Sequence, residues 1–335
     1  MAYRTTTRIE TFPSFRSKNG LKFVGKCYTP EKYNQEGVTL VFFHCSGSHK
    51  EVWETIIAHL LGLADKNGKP IVHEAWSFDM PSHGEAAKYN KEVLRSAELS
   101  MSVNEWTEGF RAFVKLGVFE GHQLVAIAHS LGATLVLLSL MPGELPPVNY
   151  KYIVLVEPSL ITQESWKEHM EDRQGALKFL AKATMKRRDT WNSREEAREY
   201  FETRLPWNTW DPRILDIYVR HGLTEAEDDG VQTGKVALAT PKAQESAAFV
   251  NIEPHFVVVE FLKTLDRSLP IHFVLGTDHD VMPDYTHQGV IDVRPPASVQ
   301  RVPDAAHFVV QQNPDGVAAA LTQILNGAVW PRAAL

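Results

Sequence analysis

The sequence predicts an α/β fold, a mostly parallel central sheet with helices on both faces. Two observations carry this reading. Apolar runs of strand length recur at Val38-Thr-Leu-Val-Phe-Phe43, Tyr152-Ile-Val-Leu-Val156 and Ile271-His-Phe-Val-Leu275. Runs so uniformly apolar suit strands buried on both faces, as in parallel sheets covered by two helical layers. Segments of helical spacing separate them, and such alternation implies right-handed crossovers into one sheet.

Taken in order, residues 21–28 and the segment before them read as two short antiparallel strands. The run 38–43 ends at His44-Cys45-Ser46-Gly47-Ser48, and a helix follows with Val52, Ile56, Ile57, Leu60 and Leu61 on one face. A strand over 74–78 runs into the turn-rich loop Asp79-Met-Pro-Ser-His83-Gly84. Residues 103–118 read as a helix. From 159 to 265 the sequence turns polar, charge-rich and helical, with Ser193-Arg-Glu-Glu196 at the spacing of a capping box. The sheet pattern resumes at 271, residues 298–302 supply a last strand, and 314–326 close with an amphipathic helix. The expected organisation is a core of 1–158 and 266–335, interrupted by a helical lid over 159–265. A lid there covers the carboxyl ends of the strands, where open α/β sheets bind ligands.

The stretch Leu124-Val-Ala-Ile-Ala-His129-Ser130-Leu131-Gly132-Ala-Thr-Leu-Val-Leu-Leu138 is the most informative in the chain. An apolar strand stops at a hydroxyl, turns beside a glycine and continues as an apolar helix, the pattern of a nucleophile elbow. The usual first glycine of that motif is Ala128 here. Residues 124–141 approach the lower length of a membrane span, but His129, Ser130 and Gly132 at their middle oppose that reading. A serine nucleophile needs a base to take its proton and a carboxylate to orient the base. Behind an elbow of this kind the chain order is serine, acid, histidine. His307, directly after the last strand, is the expected base. The acid has two candidates. Glu157 ends the strand that follows the elbow, and Asp280 lies in Gly276-Thr-Asp-His-Asp280. Glu157 is favoured, because the usual offset from the glycine falls on His279. The oxyanion donors are expected to be the backbone N–H groups of Leu131 and of Ser46, ahead of Cys45. His44 should brace that loop, and Cys45 should fill space.

The balance of 35 basic and 41 acidic residues, −6 overall, makes no electrostatic case for nucleic acid or an anionic membrane. Two cysteines cannot build a disulfide framework, which fits a reducing, intracellular compartment. The amino terminus lacks an apolar signal core, so no secretory leader is expected. Asp278-His279-Asp280 looks like a ligand cluster, yet neighbours on an extended turn point apart, and neither metal nor cofactor is expected. Lys178, Lys182, Lys186, Arg187 and Arg188 read as a solvated helix face, with carrier phosphates as the alternative. The acidic stretch Glu225-Ala-Glu-Asp-Asp229 reads as an exposed loop. Trp166, Trp191, Tyr200, Phe201, Trp207 and Trp210 should divide between lining a substrate pocket and packing the lid on the core.

The words His44, His49-Lys50-Glu51-x-Trp53, Ala128-His-Ser130-Leu-Gly132, Val156-Glu157-Pro158, Arg187-Arg188-Asp189-x-Trp191-x-Ser193-Arg-Glu-Glu-Ala197 and Thr240-Pro-Lys242 carry a resemblance. With them the chain resembles the fungal toxin-biosynthesis branch of the α/β-hydrolase superfamily, which includes peroxisomal acyl-CoA hydrolases. The resemblance runs from about residue 38 to 325. It implies the α/β-hydrolase fold, hydrolysis of an acyl thioester or ester of a small secondary metabolite, a homodimer, and an acid at Glu157. It also implies a peroxisomal or cytoplasmic address. The chain ends Ala333-Ala334-Leu335, without the basic middle residue of a Ser-Lys-Leu signal. The alternatives are a triad-based acyltransferase, cyclase or isomerase, and a ligand-binding protein without catalysis.

Overall fold

The computed structural model describes residues 2–96, 100–228 and 231–327. An eight-stranded sheet runs through the core. β1 (Tyr3–Ser14) and β2 (Ser17–Pro30) form an antiparallel ribbon, much longer than the two short strands expected. Exposed Thr and Arg side chains fill most of β1, and such polar edge strands leave little apolar signal. The remaining strands are β3 (Val38–Phe43), β4 (Val72–Phe78), β5 (Gln123–His129), β6 (Tyr152–Val156), β10 (Ile271–Gly276) and β11 (Ser298–Val302), in the order β1-β2-β4-β3-β5-β6-β10-β11. From β4 to β11 every pairing is parallel.

Alternate side chains of these strands face opposite sides, so each buried strand feeds two cores. Leu40, Phe42, Ile127 and Val154 pack on one side, against α1 (Glu54–Leu60) and α14 (Pro314–Gly327). Val41, Phe43, Ala126 and Leu155 pack on the other, against α4 (Val103–Lys115) and α5 (Leu131–Leu140). A Ser102–Glu105 capping box starts α4, each side chain satisfying the other's backbone N–H. Two short helices before it, α2 (Gly84–Tyr89) and α3 (Lys91–Ser96), have no counterpart in the sequence reading.

Between β6 and β10 lies an insertion containing α6 (Gln163–Glu168), α7 (Met170–Lys186), α8 (Arg194–Glu202), α9 (Pro212–His221), α10 (Lys242–Val250) and α11 (Glu253–Thr264). It also carries a three-stranded antiparallel sheet of β7 (Thr190–Trp191), β8 (Leu223–Asp228) and β9 (Val231–Leu238). The acidic stretch from Glu225 is therefore a hairpin strand and not a loop, while Asp229 lies outside the described residues. Its pairing with β9 supplies the order that its sequence lacks. Phe201, Trp207 and Trp210 are buried here against Tyr218 of α9, and Trp191 is buried against Phe201. At the other end of the insertion α11 places Val258, Val259 and Leu262 in the core beside α5. After β10 come α12 (Asp284–Val293) and α13 (Val309–Gln312).

Candidate active site

Parallel register brings the carboxyl ends of β3, β5, β6 and β10 together: Phe43 lies opposite Ala128, His129 opposite Val156, and Val156 opposite Val274. The loops leaving these ends carry Ser46, Ser130, Glu157 and Asp280, Leu131 opens the helix behind Ser130, and His307 follows β11, which runs parallel to β10. Ser130 follows β5 with φ 54° and ψ −115°, a conformation costing about 1–3 kcal/mol for a residue with a side chain. Glu157, after β6, also has positive φ (41°), as does Asp304 (53°) three residues before His307. Among the described residues these three are the non-glycine positions with positive φ. Backbone strain therefore concentrates on the loops of one site. Gly132 is required for another reason: a Cβ there would sit 2.8 Å from both Cβ and the carbonyl oxygen of Phe43, so only glycine lets α5 start against β3. At Ala128 the buried strand accommodates a methyl group where the usual motif has glycine.

His307 stands between two of these residues. Its Nε2 lies 3.0 Å from Ser130 Oγ, and its Nδ1 lies 3.4 Å from Glu157 Oε2. That geometry puts the ring proton on Nδ1, donated to the carboxylate, and leaves Nε2 to accept from the serine hydroxyl. The Gly276 N–H donates to the other Glu157 oxygen at 2.8 Å. Burial pushes the Glu157 carboxyl up, but the His307 hydrogen bond, the electrostatic pull of the His287 and His307 rings and the Gly276 N–H outweigh it. The net result holds Glu157 below the usual carboxylate range. Asp280 is placed otherwise: it is exposed, and its Oδ1 accepts from the backbone N–H groups of Val281 and His307. It steadies the loop and does not touch the imidazole.

Two histidines that sequence reasoning gave no part belong to the site. His129 Nε2 donates to the His307 carbonyl at 2.8 Å. Burial pushes it down to about 3, so its ring stays neutral. Its signal was adjacency to the serine. His287, in α12, is buried with Nε2 3.6 Å from Glu157 Oε2, and no spacing in the sequence pointed to it.

Ser46 and Leu131 line one cavity with Ser130 and His307. Leu131 is the first residue of α5, so its N–H has no partner within the helix. His44 braces the Ser46 loop: Nδ1 donates to the Cys45 carbonyl at 2.7 Å, and Nε2 accepts from the Met80 N–H at 3.1 Å. Cys45 is buried and burial pushes its thiol up to about 12, so it holds no reactive thiolate. Gly47 has φ 75°, and its N–H donates to His83.

The other expected groups fall as follows. Trp166 lines the cavity, whereas Trp191, Phe201, Trp207 and Trp210 pack in the core. Arg187 is half-buried and paired with Glu245, its Nη1 2.7 Å from Oε1, while Arg188 binds Glu196. Lys178, Lys182 and Lys186 lie exposed on α7. His279 pairs with Asp284, away from Asp280. Among the described residues one group could hold a metal ion, His73, Glu74 and His122, at the amino ends of the strands and far from the serine. No helix among the described residues is long and apolar enough to cross a membrane.

A family model described as the alpha/beta hydrolase family matches residues 40–320. The chain is 23% identical over 290 residues to the Saccharomyces cerevisiae peroxisomal membrane protein LPX1, across 83% of this chain and 72% of that one. It is 33% identical over 79 residues to the Alternaria alternata abhydrolase domain-containing protein AFT2-1, a match over 23% of this chain and 29% of that protein. The solved peroxisomal alpha-beta-hydrolase Lpx1 of Saccharomyces cerevisiae superposes with a TM-score of 0.75 at 18% identity, covering 100% of this chain and 92% of the other. At that identity the likeness is one of fold.

Proposed function

The chain belongs to the alpha/beta hydrolase family, and from that premise we propose that it is a serine hydrolase. Its substrate is an acyl thioester or carboxylic ester of a small secondary metabolite. Ser130 attacks the carbonyl while His307 takes its proton, and Glu157 holds the imidazole in the required tautomer. The N–H groups of Leu131 and Ser46 receive the developing oxyanion. His307 then returns the proton to the leaving thiol or alcohol, an acyl-enzyme remains on Ser130, and water repeats the sequence to release the acid. Residues 159–265 serve as the lid that keeps bulk water from this cavity.

The observation that carries the reading is the 3.0 Å contact between Ser130 Oγ and His307 Nε2, with a depressed carboxylate on the opposite ring nitrogen. A fluorophosphonate probe is expected to form one adduct, on Ser130, and Ser130→Ala to lower kcat on the order of 10⁴-fold or more. Labelling at another residue, or none, overturns the scheme. The likeness to the peroxisomal LPX1 supports a peroxisomal address for this chain, and fluorescent tagging tests it against the cytosol. The carboxyl-terminal Ala333-Ala334-Leu335 lies outside the described residues. Light scattering tests the homodimer.

A further inference from the structure

Arg173, on α7, lines the same cavity as Ser130 and His307 and is buried, 6% exposed. Its guanidinium meets neutral partners: Nη1 donates to the Val281 carbonyl at 3.1 Å, and Nη2 lies 3.9 Å from Met282 Sδ. No carboxylate of the described residues lies within ion-pair distance of it. Asp172 and Asp280 border a neighbouring surface cleft with Arg173, but Asp280 Oδ1 is taken by two backbone N–H groups. Arg173 is the one arginine or lysine of the cavity lining, and no acid is among its residues. His255, also in the lining, is bonded to Thr134 and pushed by burial down to about 4, so it adds no charge. Most of the remaining wall is apolar, Ile161, Trp166, Leu177, Phe249 and Ile252 among it.

A buried charge without a counter-ion is costly, and arginine's planar fork fits a carboxylate with two parallel hydrogen bonds. We infer that Arg173 binds an anionic substrate group, a carboxylate remote from the scissile carbonyl, so that the preferred substrate is apolar in its middle and charged at one end. This rests on the serine-hydrolase reading and names the substrate class of that site. The carboxylate belongs either to the acyl chain or to the leaving group.

Three esters separate these cases: para-nitrophenyl hexanoate, the mono-para-nitrophenyl ester of adipic acid, and the hexanoate ester of para-hydroxybenzoic acid. Each kcat/KM is divided by the ester's rate with hydroxide. The wild-type protein should prefer one charged ester over the neutral one by at least about 30-fold, and Arg173→Gln should collapse that preference, chiefly through KM. Arg173→Lys should restore part of it. No preference for either charged ester, or an equal loss on all three in Arg173→Gln, overturns the assignment. Should Arg173→Gln not fold, adipate should still raise the wild-type Tm where hexanediol does not, and equal shifts overturn it. Failure of the hydrolase reading looks different: no ester is turned over and no probe marks Ser130, while the adipate Tm shift still decides the role of Arg173.

Discussion

Among single residues, the two carboxylates near His307 have separate tasks. Glu157 meets the imidazole and Asp280 meets the backbone of the same residue. Glu157→Gln should lower kcat about 10³–10⁴-fold with little change in KM, because the ring loses the partner that fixes its tautomer. Asp280→Asn should cost no more than about 10-fold, and steady-state kinetics on both variants checks the pair. Glu157 could be weighed from sequence because an acid ended a buried strand beside a proline. What keeps Asp280 from the imidazole appears only in three dimensions: β10 ends at the glycine whose N–H binds Glu157, and the loop after it carries the aspartate that holds the His307 backbone. His287 was invisible, since a histidine inside an ordinary helix carries no mark of what it faces.

Among elements, the short helical turn after β3 shows how a buried ion cluster ties two loops together. Lys50 is fully buried, its Nζ 3.0 Å from Asp79 Oδ2, 2.8 Å from Glu85 Oε2 and 3.0 Å from Glu51 Oε1. Burial pushes Lys50 down, but the three carboxylates outweigh it and keep it charged. Asp79 also accepts from the backbone N–H groups of Lys50, Glu85 and Ala86, tying the loops after β3 and β4 together. Trp53 packs on Phe42 and His129. Lys50→Met should destabilise the protein by about 3–5 kcal/mol in urea unfolding, because it strands buried carboxylates. Strands buried on both faces were legible as apolar runs. The β8–β9 hairpin was not, because β8 is mostly polar, β9 is exposed over most of its length, and the two are ordered by pairing with each other. Ser193 does cap α8, although Glu196 returns its side chain to Asn192 and not to Ser193.

Across the whole molecule, pH dependence follows from how many histidines are buried neutral. Burial pushes His44 and His129 down to about 3 and His255 to about 4. Between those values and 6.5 the unfolded chain binds protons that the folded chain refuses, so stability rises with pH and is lost on acidification. Each of the three should add about 1.4 kcal/mol per pH unit to the fall below 6.5, read as a declining urea midpoint from pH 7 to 5. Glu157 acts lower: its depressed carboxyl contributes above 4.5, and that share is lost as pH falls through its folded value. Besides the residues lining the cavity, a contact from α10 joins the insertion to the loop of Ser46. The Glu245 carboxylate lies 2.7 Å from where a side chain on Gly47 would begin, clamped by Arg187 and pressed on the loop that carries Ser46. A doorway whose latch is also a wall of the room cannot swing freely. If α10 lifts to admit a guest, the turn carrying Ser46 loses its backing, and on the proposal that its N–H receives the oxyanion, entry and readiness to react become one event.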